Sequence, residues 1–270
     1  MKRSTPSANW TQDMLRVYEH DLQSVWEPKL NRGVWISYNF RLTWFERFIK
    51  VRPSRVLEAG CAQATLGLRL AEQGHHVLAV DIREDFLKYA KLRHTHGKIE
   101  FKILNLCRDI IPDCFDLIYL NQVVEHVNEP CELLSRLRDN LRTGGEILIT
   151  TPNYFYFRNK LPTFSSFSSS GLNKSLADNT ADGEDHIFAY TTQELQAICG
   201  KAGLSVVEVG FYETPFLSGH AYFRFVNRHI PRSALILLEQ LLSRIPLINK
   251  TICYQLYILA QRLAPHENCG

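Results

Sequence analysis

Two carboxylates and a run of small residues follow one another at a spacing that suits nucleotide binding. Glu58 ends a short apolar run, small residues extend from Gly60 to Ala64, and Asp81 ends the next apolar run 21 positions beyond Gly60. Small residues let backbone N–H groups approach a ligand, and an acid at the tip of the second strand can accept hydrogen bonds from ribose hydroxyls. The pattern predicts a nucleotide site, although an ordinary strand-to-helix turn with a chance acid would show the same residues.

A second group of polar residues follows a later apolar run. Asn121 and Gln122 come directly after it, and Glu125 and His126 lie three and four positions beyond Gln122. A histidine titrates near neutral pH and can take a proton from a substrate hydroxyl. We therefore predict catalytic roles for Glu125 and His126. The alternative is that Glu125 orients the following loop while His126 packs beneath it.

Alternating strand and helix patterns are expected to position these residues. The predicted strands cover 55–60, 76–81, 99–104, 116–121 and 145–151, and the predicted helices cover 65–73, 84–95 and 130–141. Gly144 and Gly145 are expected to form the turn before the last of these strands. Such alternation is typical of an α/β fold with a parallel, doubly wound, Rossmann-like sheet, whose ligands bind at the carboxyl ends of the strands.

Three segments extend this core. Residues 1–52 are aromatic and predict a helical cap, which either packs over the sheet edge or turns Tyr18, Trp35, Tyr38 and Arg41 toward the ligand. Residues 154–184, aromatic and then serine-rich, are a candidate lid or a disordered insertion of the main domain at 53–270. Residues 214–249 predict a helical insertion before the last strand. Its leucines and basic residues suit packing on the domain or a peripheral membrane contact through 230–249.

Composition narrows the function classes. The chain has 270 residues, 45% of them hydrophobic and 22% charged, as expected for a globular protein, and a net charge of +3 does not by itself indicate a nucleic-acid partner. The N-terminus lacks the apolar core of a signal peptide, and no long apolar run predicts a spanning helix. The seven cysteines form no C-x-x-C pair, which favours reduced thiols and a cytoplasmic location.

Three motifs together resemble a known family. Glu58-Ala-Gly60-Cys-Ala62-Gln-Ala64 is similar to the first motif of class I S-adenosylmethionine (SAM)-dependent methyltransferases, E/D-x-G-x-G-x-G, with alanine at two of its three glycines. FDLIYLNQVVEHV and LRTGGEILITTPN resemble later motifs of small-molecule O-methyltransferases, including the ubiquinone-biosynthesis type, so the match spans roughly 56–153. Because alanine disfavours positive φ, the loop is expected to lie slightly differently. The resemblance implies SAM as cofactor and a seven-stranded sheet whose last strand, beginning at Ile252, is antiparallel.

The resemblance also assigns further residues. Asn105 stands where relatives commonly carry an acid for the adenine amino group, although it could be only a turn residue. His186 lies in EDHIFAYT, similar to a family segment before the last helix, and is predicted as a second candidate base. The complete set of predicted cofactor-binding residues is Arg41, Glu58, Gly60, Cys61, Ala62, Gln63, Asp81, Ile82, Asn105, Leu106, Asn121 and Gln122.

A metal site is not expected. In some relatives E-x-x-E-H with a distant histidine resembles a divalent-ion site. Here the pattern is Gln122-x-x-Glu125-His126, with His186 as the distant partner. Replacing the first carboxylate by an amide removes a negative charge that a hard cation needs.

The sequence thus predicts a SAM-dependent methyltransferase, with O-methylation of a small-molecule, lipid or glycan hydroxyl favoured and a nucleic-acid substrate not expected. Two alternatives are a catalytically silent binding protein with this fold, favoured by Ala62, Ala64 and Asn105, and an NAD(P)-dependent oxidoreductase. Ala62 and Thr65 replace the second and third glycines of G-x-G-x-x-G, which disfavours the oxidoreductase. The acceptor and the oligomeric state are not determined by the sequence.

Overall fold

The fold was analysed in a computed structural model that describes residues 1–50, 52–111, 113–169, 188–219 and 223–262. His186, the serine-rich half of the 154–184 segment and the last eight residues lie outside this part of the chain. Seven strands form one sheet in the order β3-β2-β1-β4-β5-β7-β6. Strands β1 to β5 are parallel to one another, and β7 is antiparallel to both β5 and β6. The predicted doubly wound sheet with an antiparallel last strand is confirmed.

The strands and helices of the core follow one another as the sequence pattern predicts. The strands are β1 Arg55–Ala59, β2 His76–Asp81, β3 Lys98–Ile103, β4 Phe115–Asn121, β5 Leu141–Pro152, β6 Leu204–Tyr212 and β7 Gln255–Arg262. The helices between them are α3 Thr65–Glu72, α4 Glu84–Arg93, α5 Pro130–Asp139, α6 Phe164–Ser169 and α7 Thr192–Lys201. A reciprocal capping box between Thr191 and Glu194 fixes the start of α7.

The N-terminal cap is helical, as expected. It contains α1 Gln12–Asp21, a π-helical turn Leu22–Trp26, and α2 Arg32–Glu46. On α2, Leu42, Trp44, Phe45 and the following Phe48 are buried against one face of the sheet, where Trp44 stacks on Tyr212 with ring centroids 4.1 Å apart. The cap therefore shares the apolar core. The predicted domain division at residue 52 stays a prediction.

The helical insertion before β7 is also confirmed. It contains α8 Pro215–Ser218, α9 Arg224–His229, α10 Arg232–Leu242 and α11 Ile248–Ile252. Because the N–H of Cys253 still donates to the carbonyl of Asn249, the chain remains helical there and β7 begins three residues later than the sequence suggested. Among the described residues, no helix is long and apolar enough to span a bilayer.

One further sequence expectation, the turn at Gly144 and Gly145, differs from the structure. Gly144 and Gly145 lie inside β5 and produce a register irregularity opposite Phe115–Leu117, where a turn was expected. In the described part of the lid segment, Phe164 and Phe167 pack against Phe188 and Tyr190 in the core. Burial of Phe167 anchors this end of the segment on the core, and a lid role for residues 154–184 stays a prediction.

Candidate cofactor site

A cavity of about 250 Å³ lies at the carboxyl ends of β1 and β4, beneath the N-terminal cap. The loop after β1 forms its floor, α2 forms its roof, and the end of β4 closes one side. Of the predicted cofactor-binding residues, eight line it: Arg41, Glu58, Gly60, Cys61, Ala62, Gln63, Asn121 and Gln122. The carboxyl edge of a doubly wound sheet is where such folds bind ligands.

The loop after β1 adopts left-handed backbone conformations at three small residues. Gly60, Ala62 and Ala64 have φ angles of 70°, 46° and 51°. At Gly60 a Cβ would lie 2.4 Å from Cγ2 of Val123, so this position has no room for a side chain. The two alanines adopt conformations that glycine would reach at lower energy. The loop therefore retains a glycine-like path despite its alanines.

Asp81 is buried at the end of β2 and holds this loop. Its Oδ2 accepts a hydrogen bond from the Ala62 N–H at 2.7 Å, and its Oδ1 accepts from the backbone N–H and Nε of Arg83 at 2.9 and 3.1 Å. Nη2 of Arg83 also donates to Oδ2 at 3.4 Å, so protein donors already occupy the roughly four acceptor positions of the carboxylate, and a ribose hydroxyl would have to replace an Arg83 contact. Asp81 borders the cavity through Ala62, and its contact with ribose stays a prediction.

Glu58 is a buried carboxyl group in the cavity wall. Its Oε2 accepts a hydrogen bond from the Gly67 N–H at 2.9 Å, in the first turns of α3. Burial raises the pKa of Glu58 to about 8, because desolvation disfavours the carboxylate. A Cβ at Gly67 would lie 2.5 Å from the same oxygen, so glycine at that position makes room for the carboxyl group.

Two residues of α2 reach into the cavity from above. Arg41 and Tyr38 line it, and the guanidinium carbon of Arg41 lies 5.5 Å from the centroid of the Tyr38 ring. On its other side Arg41 places Nε 3.7 Å from Oε2 of the buried Glu213, which also accepts a short hydrogen bond from Ser37. Of the four cap residues named from the sequence, Tyr38 and Arg41 thus line this cavity, and their contact with a ligand stays a prediction. In contrast, Tyr18 packs on Trp10, and Trp35 lines a different cavity.

A fully buried ion pair joins the cap to the cofactor loop. Asp21, at the end of α1, lies 3.0 Å from Nη1 of Arg93 on α4, and both side chains have no exposed surface. Asp21 also accepts hydrogen bonds from the amide of Gln63 at 3.2 Å and from the hydroxyl of Tyr89 at 3.0 Å. Arg93 in turn donates to the carbonyl of Gln63 at 3.1 Å. The network fixes Gln63 from two sides.

The sequence analysis missed this pair, but it contained a signal. Asp21 stands four positions after Val17 and seven after Met14, on the same apolar face of α1. Arg93 follows Ala90 and Tyr89 on the buried face of α4. A charged residue at an apolar helical position is rarely buried unless it has a partner, so two such residues could have been matched.

Asn121 and Gln122 form the far wall. Oδ1 of Asn121 accepts a hydrogen bond from the Thr150 hydroxyl at 2.6 Å, and the side-chain amides of Gln122 and Gln255 lie 2.7 Å apart. Gln122 has a φ of 54°, a left-handed conformation that is uncommon outside glycine. Both residues are placed where the prediction requires, and their contacts to the cofactor stay predictions.

Three further predicted residues lie outside the lining of this cavity. Ile82 is 51% exposed directly after β2. Asn105 and Leu106 follow β3, where Oδ1 of Asn105 accepts a hydrogen bond from the Cys107 N–H at 3.0 Å, as in a turn. This bond matches the alternative of a turn residue, but the carbonyl and amide of Asn105 could also contact an adenine. Its role is not decided by the geometry.

The predicted catalytic pair lies beside the cavity. Glu125 and His126 belong to a 3-10 turn, Val124–His126, that follows Gln122. Glu125 is completely buried, and desolvation raises the pKa of its carboxyl group to about 8. His126 is half-buried. Neither residue lines the cavity described above, and because His186 is outside the described residues, the identity of the base stays a prediction.

The described residues contain no group of three or more His, Cys, Asp or Glu side chains that could hold a metal ion. Gln122 and Glu125, from the motif considered for a cation, lie on consecutive turns after β4. Their possible histidine partner at 186 is not among the described residues.

Sequence comparison identifies relatives over most of the core. The family model described as "Methyltransferase domain" matches residues 18–209. Ubiquinone biosynthesis O-methyltransferase of Xylella fastidiosa is 27% identical over 152 residues, which cover 54% of this chain and 62% of that protein. The enzyme of the same name from Aromatoleum aromaticum is 25% identical over 173 residues, covering 63% of this chain and 71% of that protein. The match thus spans less than two thirds of the Xylella relative.

Solved structures with the same fold extend the comparison. An S-adenosylmethionine-dependent methyltransferase from Mesorhizobium loti superposes with a TM-score of 0.55 at 18% identity, over 84% of this chain and 98% of that one. The N-methyltransferase NodS from Bradyrhizobium japonicum, crystallised with S-adenosyl-L-homocysteine, gives a TM-score of 0.52 at 14% identity, over 94% of this chain and 100% of that one. At these identities the likeness concerns the fold.

Proposed function

Since this chain belongs to the family of methyltransferase domains, with a class I, SAM-dependent fold, we propose that it transfers the methyl group of SAM to an oxygen atom of a small acceptor. The observation that carries the proposal is the cavity at the ends of β1 and β4. The loop Glu58–Gln63, the cap and the Asn121–Gln122 wall surround one space at the ligand-binding edge of the sheet.

Residues around this cavity have complementary proposed roles. Asp81 accepts from the ribose hydroxyls, while Ile82, Asn105 and Leu106 border the adenine. Glu58 and Arg41 lie at the polar end, where the guanidinium faces the carboxylate of the methionine part and the Glu58 carboxyl group accepts a hydrogen bond from its ammonium group. Asn121 and Gln122 line the path of the methyl group. At about 250 Å³ the cavity is below the usual range for ligands of this size, so binding is expected to displace the cap outward.

Methyl transfer requires mainly alignment. The acceptor oxygen attacks the methyl carbon in line with the carbon–sulfur bond, whose electrons return to sulfur, and holding the two groups in contact supplies much of the rate. The hydroxyl proton must leave, and His126 or His186 is the proposed base, with Glu125 in support. The names of the relatives support oxygen as the acceptor atom.

The acceptor is proposed to be a small molecule, lipid or glycan with a hydroxyl group. A lipid would suit the outer surface of the insertion, where Leu237, Leu241, Ile245, Leu247 and Ile248 are all more than two-fifths exposed. The one acid in 228–252, Glu239, is buried. Peripheral membrane contact through 230–249 and a cytoplasmic location are therefore part of the proposal, and the six cysteines described as free thiols suit a reducing compartment.

The test begins with the cofactor. SAM should raise the melting temperature of the full chain and bind in calorimetry, whereas NAD should do neither. Asp81→Asn should weaken SAM binding, while Asp116→Asn, outside the cavity, serves as the matched control. Absence of SAM binding in a folded protein would contradict the proposal and favour a catalytically silent protein.

Catalysis is tested separately. Production of S-adenosylhomocysteine is measured with a panel of phenols, quinone precursors and lipid-linked sugars. Among folded variants that still bind SAM, His126→Ala and His186→Ala should identify the base by a loss of turnover of about 10²–10⁴-fold. Unchanged turnover in both variants would remove both histidines from the mechanism. Product methylated on nitrogen or carbon would contradict the choice of oxygen.

A further inference from the structure

A second and larger cavity lies between the N-terminal cap and the helical insertion. Its volume is about 960 Å³, and its walls are residues 28–36 on one side and the ends of α8 and α9 on the other. The walls meet closely, since a Cβ at Gly33 would lie 2.4 Å from the carbonyl oxygen of Ser218. None of the residues assigned to the cofactor lines this cavity.

In the part of the chain that the structure describes, four cationic side chains and no acidic side chain line it. They are Lys29 and Arg32 from the cap, and Arg228 and Arg232 from the insertion. Among the described residues, no carboxylate oxygen lies within 4 Å of any of the four. By contrast, most of the other arginines with described contacts, such as Arg69 and Arg142, have such a partner. The cavity therefore concentrates positive charge that the protein does not neutralise.

Two of these side chains are held in place. Arg32 donates to the carbonyl of Ile230 at 2.9 Å and to Oδ1 of Asn227 at 3.3 Å. The guanidinium of Arg232 lies 5.0 Å from the ring centroid of Trp35. An arginine fixed by protein contacts still has N–H groups for a ligand, and less of its freedom is lost on binding.

The backbone of α2 adds to the positive electrostatic potential in this cavity. The first turn of α2, a helix of 15 residues capped by the side chain of Asn31, forms part of the cavity wall. The N-terminus of a helix carries a partial positive charge and favours anions. The backbone and the four basic side chains thus both favour a negatively charged ligand in this cavity.

From this geometry we propose that the cavity binds the phosphate or diphosphate group of a ligand. A phosphate monoester carries about −1.5 to −2 charges at neutral pH, which suits four cations better than a single carboxylate would. The arginine fork forms paired hydrogen bonds with phosphate oxygens. The volume exceeds what one phosphate fills, and Leu30 and Trp35 offer apolar surface to the rest of the ligand.

The site is separate from the cofactor cavity but close to it. Both cavities are lined by α2, one by residues up to Ile36 and the other from Tyr38 onward. Nine residues separate Arg32 from Arg41, which corresponds to roughly 13 Å along the helix. A ligand held by its phosphate at one cavity could therefore extend toward the other.

The experiment measures binding of sodium pyrophosphate, and separately inorganic phosphate, to the full chain by calorimetry at low ionic strength. The test variant is Arg228→Gln/Arg232→Gln, because both side chains are exposed and their loss leaves the Arg32 contacts intact. The control is Lys91→Gln/Lys201→Gln, which removes the same charge from exposed positions outside the cavity and outside residues 230–249. Lys29→Gln is a second, milder variant, and circular dichroism verifies folding.

Each arginine should raise the affinity for pyrophosphate roughly tenfold, so the double variant should bind it about 100-fold more weakly. The control variant should keep the wild-type affinity. A second arm uses phosphatidylcholine vesicles with and without phosphatidic acid. Binding that needs phosphatidic acid and is lost in the test variant identifies a lipid headgroup as the source, and binding of free pyrophosphate identifies a soluble ligand. Absence of both, or an equal loss in test and control variants, overturns the proposal. SAM binding should be unchanged in the test variant, so this result is independent of the proposed methyl transfer.

Discussion

The buried ion pair between Asp21 and Arg93 makes a strong prediction for the substitution Asp21→Asn. The change keeps the shape of the side chain but removes the negative charge that faces Arg93 at 3.0 Å. Both side chains have no exposed surface, so no water can replace the lost carboxylate. An arginine left charged and unpaired in the interior is strongly destabilising.

The magnitude follows from this burial. Removing one partner of a buried pair typically costs about 3–5 kcal/mol of unfolding free energy. With a change of about 2–4 °C per kcal/mol for a chain of this size, the melting temperature should fall by roughly 6–20 °C. Asp21 also accepts from the amide of Gln63, so cofactor affinity should fall along with stability. Urea denaturation gives the free energy, and calorimetry with SAM gives the affinity.

Two controls separate charge from simple disturbance. Asp13→Asn removes an acid from the same helix, but Asp13 is exposed and 3.6 Å from Arg16, so its loss should change stability by less than about 1 kcal/mol. The double variant Asp21→Leu/Arg93→Met should recover most of the loss, because apolar residues of similar volume can replace a buried pair. A loss below about 1 kcal/mol in Asp21→Asn would refute the conclusion that Arg93 depends on this carboxylate.

Three further predictions concern the cofactor loop and its surroundings. Ala62→Gly should raise the unfolding free energy by about 1 kcal/mol because φ is positive there, whereas Ala71→Gly, in the last turn of α3, should lower it. A lower unfolding free energy for both variants in urea denaturation would contradict backbone strain at Ala62. The pKa of Glu58 rises to about 8 on folding, so the stability that this group contributes is complete below its unfolded pKa near 4.5 and is lost as pH rises toward 8. Glu58→Gln should therefore flatten the plot of unfolding free energy against pH between these two values. An unchanged slope of that plot would show that Glu58 titrates normally. Gly67→Ala should destabilise the protein and weaken SAM binding, since the new Cβ would lie 2.5 Å from the Glu58 carboxyl group. Gly200→Ala, with open space around it in α7, should instead stabilise the protein by about 0.5–1 kcal/mol in urea denaturation.

Much of the fold could be predicted because local pattern and tertiary structure agree. Apolar runs such as Val77–Val80 are buried on both faces of the sheet and are therefore visible in the sequence as continuous apolar segments. The helices between the strands are amphipathic, so their apolar residues recur at helical spacing. The Gly60–Ala64 loop could also be located, since its small residues mark the close approach of backbone to a ligand site. These features can be predicted because each depends on residues that are close together in the sequence.

Other features depend on contacts between distant segments. The link between Asp21 and Gln63 joins residues 42 positions apart, and that between Arg41 and Glu213 joins residues much farther apart. No single stretch of sequence shows which of several acids on different elements will meet a given arginine. The phosphate-binding cavity is of the same kind, because its cations come from residues near 30 and near 230 and only the fold places them together.

Strand β7 lies between β5 and β6, and this position has a consequence for synthesis on the ribosome. Until residues 255–262 have emerged, β6 cannot take its place in the sheet and the edge of β5 has no neighbour on that side. Nascent chains fold from the N-terminus, so the five parallel strands can assemble early. Glu213, directly after β6, can then contact Arg41 only once β7 has joined the sheet. The contact between the cap and the residue that follows β6 would thus form after the parallel strands, and until then the unpaired edge of β5 could pair with a strand of another chain.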